Sequence, residues 1–323
     1  MRRAVSLSAA LLLGCASEPS TLGLTEPVRV NDSQFQEGEL PGLPPQTLDE
    51  ILAEVPPVPP AFTAFSLNST AIEVGEERTA SGLTTTDAVA VGVRFRSLGS
   101  GYWVTPVRAA DPTNDGELTW GFPFVVNQAA PPGLHDLLFA AIDASGRAGT
   151  QRSARLCVRR PVPDNGNVCD PEIPPPALVV SLEWDNDADL DLRVVTPSGK
   201  EVDGKKPSTA LRGEDGTLDT SAPGTGVLDR DSNARCAPDS RRRENLVFQG
   251  DPEPGTYLIY VNLFDACGEP SVRFRASLHS AAEGSEPGTY TVVESFATAG
   301  GLTAEQANAG KQRGLFVTEF NVQ

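Results

Sequence analysis

Histidine occurs twice and methionine once in this 323-residue chain, and aromatic residues make up 6% of it. General acid–base and Ser-His-Asp chemistry call for a histidine beside a nucleophile. His135, in PGLHDLLF, sits in a strand pattern and His279, in ASLHSAAE, at a strand end, and both read as edge or surface residues. No GxSxG, HExxH or Walker phosphate loop is present. Basic residues are also scarce, with 26 Lys and Arg against 43 Asp and Glu, a net charge of −17 and a pI near 4.5. Such a chain offers no basic stripe for phosphates, which excludes nucleic acid as a partner. Long helical periodicities are few, whereas glycine (30) and proline (28) are plentiful. That balance points to short strands joined by many turns, an all-β class. The length suffices for two domains with a core each.

The N-terminus carries two arginines, Arg2 and Arg3, and then an apolar run from Ala4 to Leu13. The run is too short to span a bilayer and reads as the h-region of an export signal. Leu12-Leu13-Gly14-Cys15 resembles the bacterial lipoprotein signal, in which the cysteine is acylated and becomes the mature N-terminus. The resemblance implies a signal over residues 1–15, a lipid on Cys15 and membrane contact through it, each buried methylene contributing ~0.8 kcal/mol. Ala16 stands where an inner-membrane retention signal places aspartate, which favours the outer membrane of a bacterial cell envelope. Four cysteines then remain, Cys157, Cys169, Cys236 and Cys267. They allow three pairings in an exported protein, and Cys157–Cys169 with Cys236–Cys267 is the favoured one. Their spacings do not match a zinc site.

Residues 16–60 contain ELPGLPPQ and EVPPVPPA and read as a Pro-rich spacer, with TLDEILAEV as two unpartnered helical turns. From 61 to 160 the pattern becomes AFTAFSL, TAIEV, AVAVGVRF, GYWVTPV, LTWGFPFVV, LHDLLFAAI and SARLCV, about seven short strands. This half resembles the immunoglobulin-like β-sandwiches of bacterial surface proteins, a likeness of pattern alone. A second linker, 161–176, leads into a last domain over 177–323. Its strand candidates are ALVVSLEW, DLDLRVV, NLVFQG, GTYLIYVNLF, VRFRASL, GTYTVVESF and GLFVTEFNV. The expectation is two β-sandwiches in tandem. The three tryptophans, Trp103, Trp120 and Trp184, are expected in cores, with a sugar platform at Trp103 or Tyr102 as the alternative. Arg241-Arg242-Arg243 reads as a solvated loop, with anionic glycan or lipid headgroups as alternative partners.

The stretch WDNDADLDLRVVTPSG (184–199) holds Asp185, Asp187, Asp189 and Asp191. An EF-hand loop started at Asp185 would need glycine at position 6 and glutamate at 12, where Leu190 and Thr196 stand, so that reading fails. Period-two alternation does better: Leu190, Leu192 and Val194 face a core, and Asp189, Asp191 and Arg193 the other side. Asp185-Asn186-Asp187 is then the expected hairpin turn. Two same-face carboxylates ~7 Å apart at Cα repel unless solvent or a cation screens them. GVLDRDSNARC (226–236) and Glu244 supply further hard oxygen donors of the kind calcium takes. The expected calcium ligands are Asp189, Asp191, Asp229, Asp231, Asn233 and Glu244, with Asp185 and Asp187 as second choices. Asx-type turns that bind nothing are the competing reading.

DLDL…TPSG, LDRDSNARC, REN(L)…PGTYLIYVNLF and Cys267-Gly268 together resemble the YfaP-like modules of bacterial secreted proteins. They are more distantly similar to C-terminal domains appended to secreted peptidases. The likeness spans residues 177–280 and implies a non-enzymatic binding or accessory module. The function expected is therefore a membrane-anchored lipoprotein presenting sandwiches to a protein or glycan partner. The alternatives are an accessory or regulatory subunit of a secreted hydrolase and, behind it, a carboxylate-dependent hydrolase.

Overall fold

Residues 23–210, 216, 217, 219 and 224–323 are described by the computed structural model. The expected signal peptide and Cys15 lie outside the described residues. The chain is all-β, with two sandwiches in tandem. In the first, one sheet has the order β1 (Val28–Val30), β8 (Glu117–Val126), β5 (Glu77–Thr85) and β3 (Phe62–Leu67). The facing sheet has the order β2 (Gln34–Glu37), β7 (Gly101–Pro106), β6 (Ala88–Phe95), β9 (Gly133–Asp143), β10 (Arg152–Arg159) and β4 (Ala71–Glu73). Alternation builds the core. Trp120, Phe122 and Phe124 point inward from β8 and meet Val91, Val93 and Phe95 of β6 and Leu137 and Phe139 of β9. Phe65 and Phe139 make an edge-on contact at 4.9 Å between ring centroids.

Two sequence expectations are corrected here. The spacer over 16–60 is not an extended tether along its whole length. Val28 and Val30 pair with Val126 and Phe124, and Gln34–Glu37 pair with β7, so this stretch adds a strand to each sheet. The prolines flank these strands, and three or four residues are too few for alternation to register. The helix α1 (Leu48–Leu52) is capped by Thr47 and Glu50 and buries none of its residues. The second correction is β5, absent from the seven expected strands. Its inward positions are Ala80 and Thr84, not large apolar residues. Gly82 in it is required by close packing, since a Cβ there would lie 2.0 Å from the Ala64 carbonyl oxygen.

The second sandwich faces two sheets across a core of Val180, Leu182, Leu190, Leu192, Phe248, Tyr257 and Ile259. One sheet has the order β14 (Gly226–Leu228), β15 (Arg243–Phe248), β11 (Leu178–Trp184), β17 (Ser271–Glu283) and β18 (Tyr290–Thr303). The other has the order β13 (Glu201–Val202), β12 (Asp189–Val195), β16 (Gly255–Asp265) and β19 (Leu315–Val322). Asp185-Asn186-Asp187 is not a hairpin turn. It carries the chain from β11 in one sheet to β12 in the other, braced by the Trp184 indole N–H donating to the Ala188 carbonyl at 2.9 Å. The 161–176 stretch folds onto this sandwich. Asn167 is buried and donates to the carbonyls of Ile173 and Tyr290.

Cys157–Cys169 and Cys236–Cys267 are both bonded, at S–S distances of 2.01 and 2.06 Å. Structural disulfides of this kind belong to an oxidising compartment. Among the described residues no helix is long and apolar enough to cross a membrane.

Candidate cation site

Strand β12 turns Leu190, Leu192 and Val194 into the core and places Asp189, Asp191 and Arg193 on its other side. That second side is not solvated. Asp189 is 2% exposed, Asp191 7% and Arg193 6%. Two loops close over it, one through Asp203, Gly204 and Lys205, the other through Asp231, Ala234 and Arg235. Between them lies a cavity of about 240 Å³. One carboxylate oxygen each from Asp189, Asp191 and Asp231 lie within 4.8 Å of one another. Gly204 presses close, since a Cβ on it would stand 2.9 Å from Asp231 Oδ2.

Half of the expected ligand set therefore converges and half does something else. Asp189, Asp191 and Asp231 face one another. Glu244, fully buried, spends both oxygens on backbone N–H groups, Leu192 at 2.7 Å and Ser232 at 3.1 Å. These donors directly follow Asp191 and Asp231, so Glu244 brackets the two segments that present the acids. Asp229 accepts from the Asn245 backbone and side-chain amides at 2.8 and 2.9 Å. Asn233 donates to the Ala188 carbonyl and accepts from the Asp239 N–H. Both brace the loops through these contacts and stand outside the group of three converging carboxylates. Asp185 accepts from Arg273 N–H, and Asp187 pairs with Arg242 at 2.8 Å, so the second choices also lie outside the converging group.

Two contributors were not foreseen. Asp203 lines the cavity and accepts from the N–H groups of Lys205 and Lys206. Asn262, on β16 opposite Asp191, donates to Asp191 Oδ2 at 3.1 Å. A Val-Asp-Gly turn signal marks the former in the sequence; only cross-strand register reveals the latter.

The loop from β14 to β15 is strained. Asn233, Arg235, Cys236, Ser240 and Arg242 all hold positive φ between 49° and 63°. Such backbone costs of order 1 kcal/mol or more per residue and gathers at functional sites. The Cys236–Cys267 bond ties the loop to the end of β16. Asp189 Oδ2 accepts the Arg235 N–H at 2.7 Å, whereas Asp189 Oδ1 is buried with no hydrogen-bond partner.

Electrostatics follow from this crowding. Burial, and then the charges of Asp191, Asp231 and Asp265, push the Asp189 carboxyl up to about 7. Burial likewise raises Asp191 and Asp231, and raises Glu244 well above the usual carboxylate range. Arg193 lies 3.6 Å from Asp191 and opposes the effect in part. The donors that converge are hard oxygens only, since the nearby sulfurs of Cys236 and Cys267 are bonded to each other.

The Arg241–Arg243 run is not a solvated loop. Arg241 and Arg243 pair across to Glu73 of the first sandwich at 2.8 and 3.1 Å, and Arg241 also pairs with Glu76. Trp103 does not offer a sugar platform, because Phe35 lies against it at 5.3 Å and its N–H donates to the Val28 carbonyl.

No family model and no curated protein matches this chain. Several solved structures share a low likeness. One, described as manganese lipoxygenase of Gaeumannomyces graminis with partial zonadhesin of Komagataella pastoris, is 10% identical over 75% of this chain and 94% of that one, TM-score 0.22. The Enterococcus faecalis MSCRAMM ACE, which binds its ligands by the collagen hug model, is 11% identical over 81% and 98%, TM-score 0.18. The collagen adhesin of S. aureus is 10% identical over 75% and 95%, TM-score 0.16. Values this low carry no functional argument.

Proposed function

We propose that this chain is a non-catalytic, lipid-anchored envelope protein that presents two sandwiches to a partner, with a structural calcium ion held by Asp189, Asp191 and Asp231. The observation that carries the cation is the meeting of three carboxylates, of which Asp189 has one oxygen buried and unpartnered. An oxygen-only donor set favours a hard cation of calcium type over zinc or copper. Its role is to join β12 to the strained loop and offset acid repulsion. Among the described residues, Ser277 and His279 form a buried nucleophile–base contact at 2.9 Å. Ser277 is 3% and His279 9% exposed, which leaves a substrate no access and supports the non-catalytic reading. The anchor rests on Leu12-Leu13-Gly14-Cys15 and is tested by acyl labelling of wild type against a Cys15→Ser variant, and outer-membrane placement by separating the two membranes and finding the labelled protein.

Arg193, 3.6 Å from Asp191, and Arg235, on the covering loop, favour a second reading in which these guanidinium groups alone neutralise the acids. Thermal melts of the whole non-reduced chain with calcium and with chelator separate the two. The calcium reading expects a rise of several degrees that disappears in Asp191→Ala and Asp231→Ala, with calcium in the untreated protein. Superimposed melts and a metal-free protein would leave the arginines as the counter-ions.

A further inference from the structure

Where the two sandwiches meet, the acidic character of the chain reverses. A cleft of about 500 Å³ is lined by Arg78, Arg159, Arg160, Arg230 and Arg241, against Glu73, Glu76 and Asp164. The three acids are already committed. Glu73 pairs with Arg241 and Arg243, and Glu76 with Arg78 and Arg241. Asp164 accepts the N–H groups of Gly166 and Val168. Donors are left over. Arg159 and Arg160 are exposed and, among the described residues, have no carboxylate within ion-pair distance, although acids outnumber bases 43 to 26 in the chain. The Nε–H groups of Arg78 and of Arg243 are buried without acceptors, out of reach of a ligand, so the exposed Arg159 and Arg160 carry the surplus.

We propose that this cleft is a binding site for the oxyanion groups, sulfate or carboxylate, of an acidic saccharide. Planar guanidinium forks match such groups in paired, charge-assisted hydrogen bonds. The cleft lies within the ~300–1,000 Å³ range of ligand sites and far exceeds the ~30 Å³ share of a water, so a bare ion would leave most of it to solvent. The interleaved carboxylates argue for a saccharide over a polymer of acids alone. They repel unbroken negative charge, whereas a sugar spaces its charged groups with neutral hydroxyls. Pro161 and Pro163 hold the wall between the sandwiches in a restricted backbone. The cleft shares the β14–β15 loop with the cation site, through Arg230 and Arg241, but none of its lining residues is among the three proposed calcium ligands, and its ligand would bridge the sandwiches.

The test titrates a sulfated, uronate-containing disaccharide into the whole chain by calorimetry, at low and at high salt. Inorganic sulfate, the unsulfated disaccharide and an acidic peptide serve as parallel arms. The partner is a double variant, Arg159→Glu with Arg160→Glu, both exposed and outside either core, with its melting temperature checked against wild type. The expected result is saccharide binding that weakens with salt and falls about tenfold or more in the variant. Inorganic sulfate and the unsulfated sugar should bind at least about tenfold more weakly. No heat on titration, or equal binding by the variant, would overturn the site. Equal binding of free sulfate, or tighter binding of the peptide, would overturn the saccharide.

Discussion

Replacing Asp189 by asparagine isolates what the acid cluster does to stability. In the metal-free protein the folded state holds this carboxyl at about 7, against 3.8 for the ordinary group. The sign is therefore unfavourable at neutral pH. Below the ordinary value both states are protonated and nothing is lost; as pH rises from about 3.8 to about 7 the unfolded state ionises first and stability falls, and above about 7 both states are charged and the loss is complete. A shift of about three units corresponds to ~4 kcal/mol at full ionisation. Water entering the open side of the cavity screens part of that, leaving ~2 kcal/mol. For a domain of this size that is about 4–8 °C in melting temperature. In chelator at pH 8, Asp189→Asn should melt higher than wild type by that amount, and at pH 5 the gap should shrink. Its amide carbonyl still accepts the Arg235 N–H, so the loop keeps its contact. With calcium the order should reverse, because wild type gains an ion that the variant binds poorly. A variant less stable than wild type in chelator at pH 8 would refute the repulsion argument and leave Asp189 as a simple structural acid.

Opening the Cys236–Cys267 bond by Cys236→Ser with Cys267→Ser frees a loop spanning 31 residues and should cost ~3.5 kcal/mol in urea unfolding. It should also weaken calcium binding, since the bond anchors the loop that bears Asp231; unaltered calcium affinity would mean that the loop holds its shape unaided. Burial lowers His279 below its ordinary value, with Glu294 opposing in part. Its contribution is present above about pH 6.5 and lost as pH falls through the lowered folded value. In saturating calcium, wild type should lose more stability between pH 7.5 and 5 than His279→Gln, read from urea midpoints, and equal losses would count against this assignment.

Much of the architecture was legible in the chain itself. Alternation in LTWGFPFVV and AVAVGVRF determined the faces of β8 and β6, because large inward side chains repeat every second residue. The same rule separated Leu190 and Leu192 from Asp189 and Asp191, and the compartment and pattern of the cysteines favoured the pairing observed. What failed did so where local pattern carries no information. Strands Val28–Val30 and Gln34–Glu37 are held by partners about 70 to 100 residues away, and β5 by small residues that only a neighbouring strand makes necessary. The six candidate ligands shared one chemistry in the sequence, hard oxygen. Tertiary structure decided that Asp189, Asp191 and Asp231 meet at one cavity while Asp229, Asn233 and Glu244 turn to backbone and amide donors. Composition and period dictate which side of a strand a residue takes; what it meets there depends on the loops folded over it, and those are placed by contacts remote in the chain.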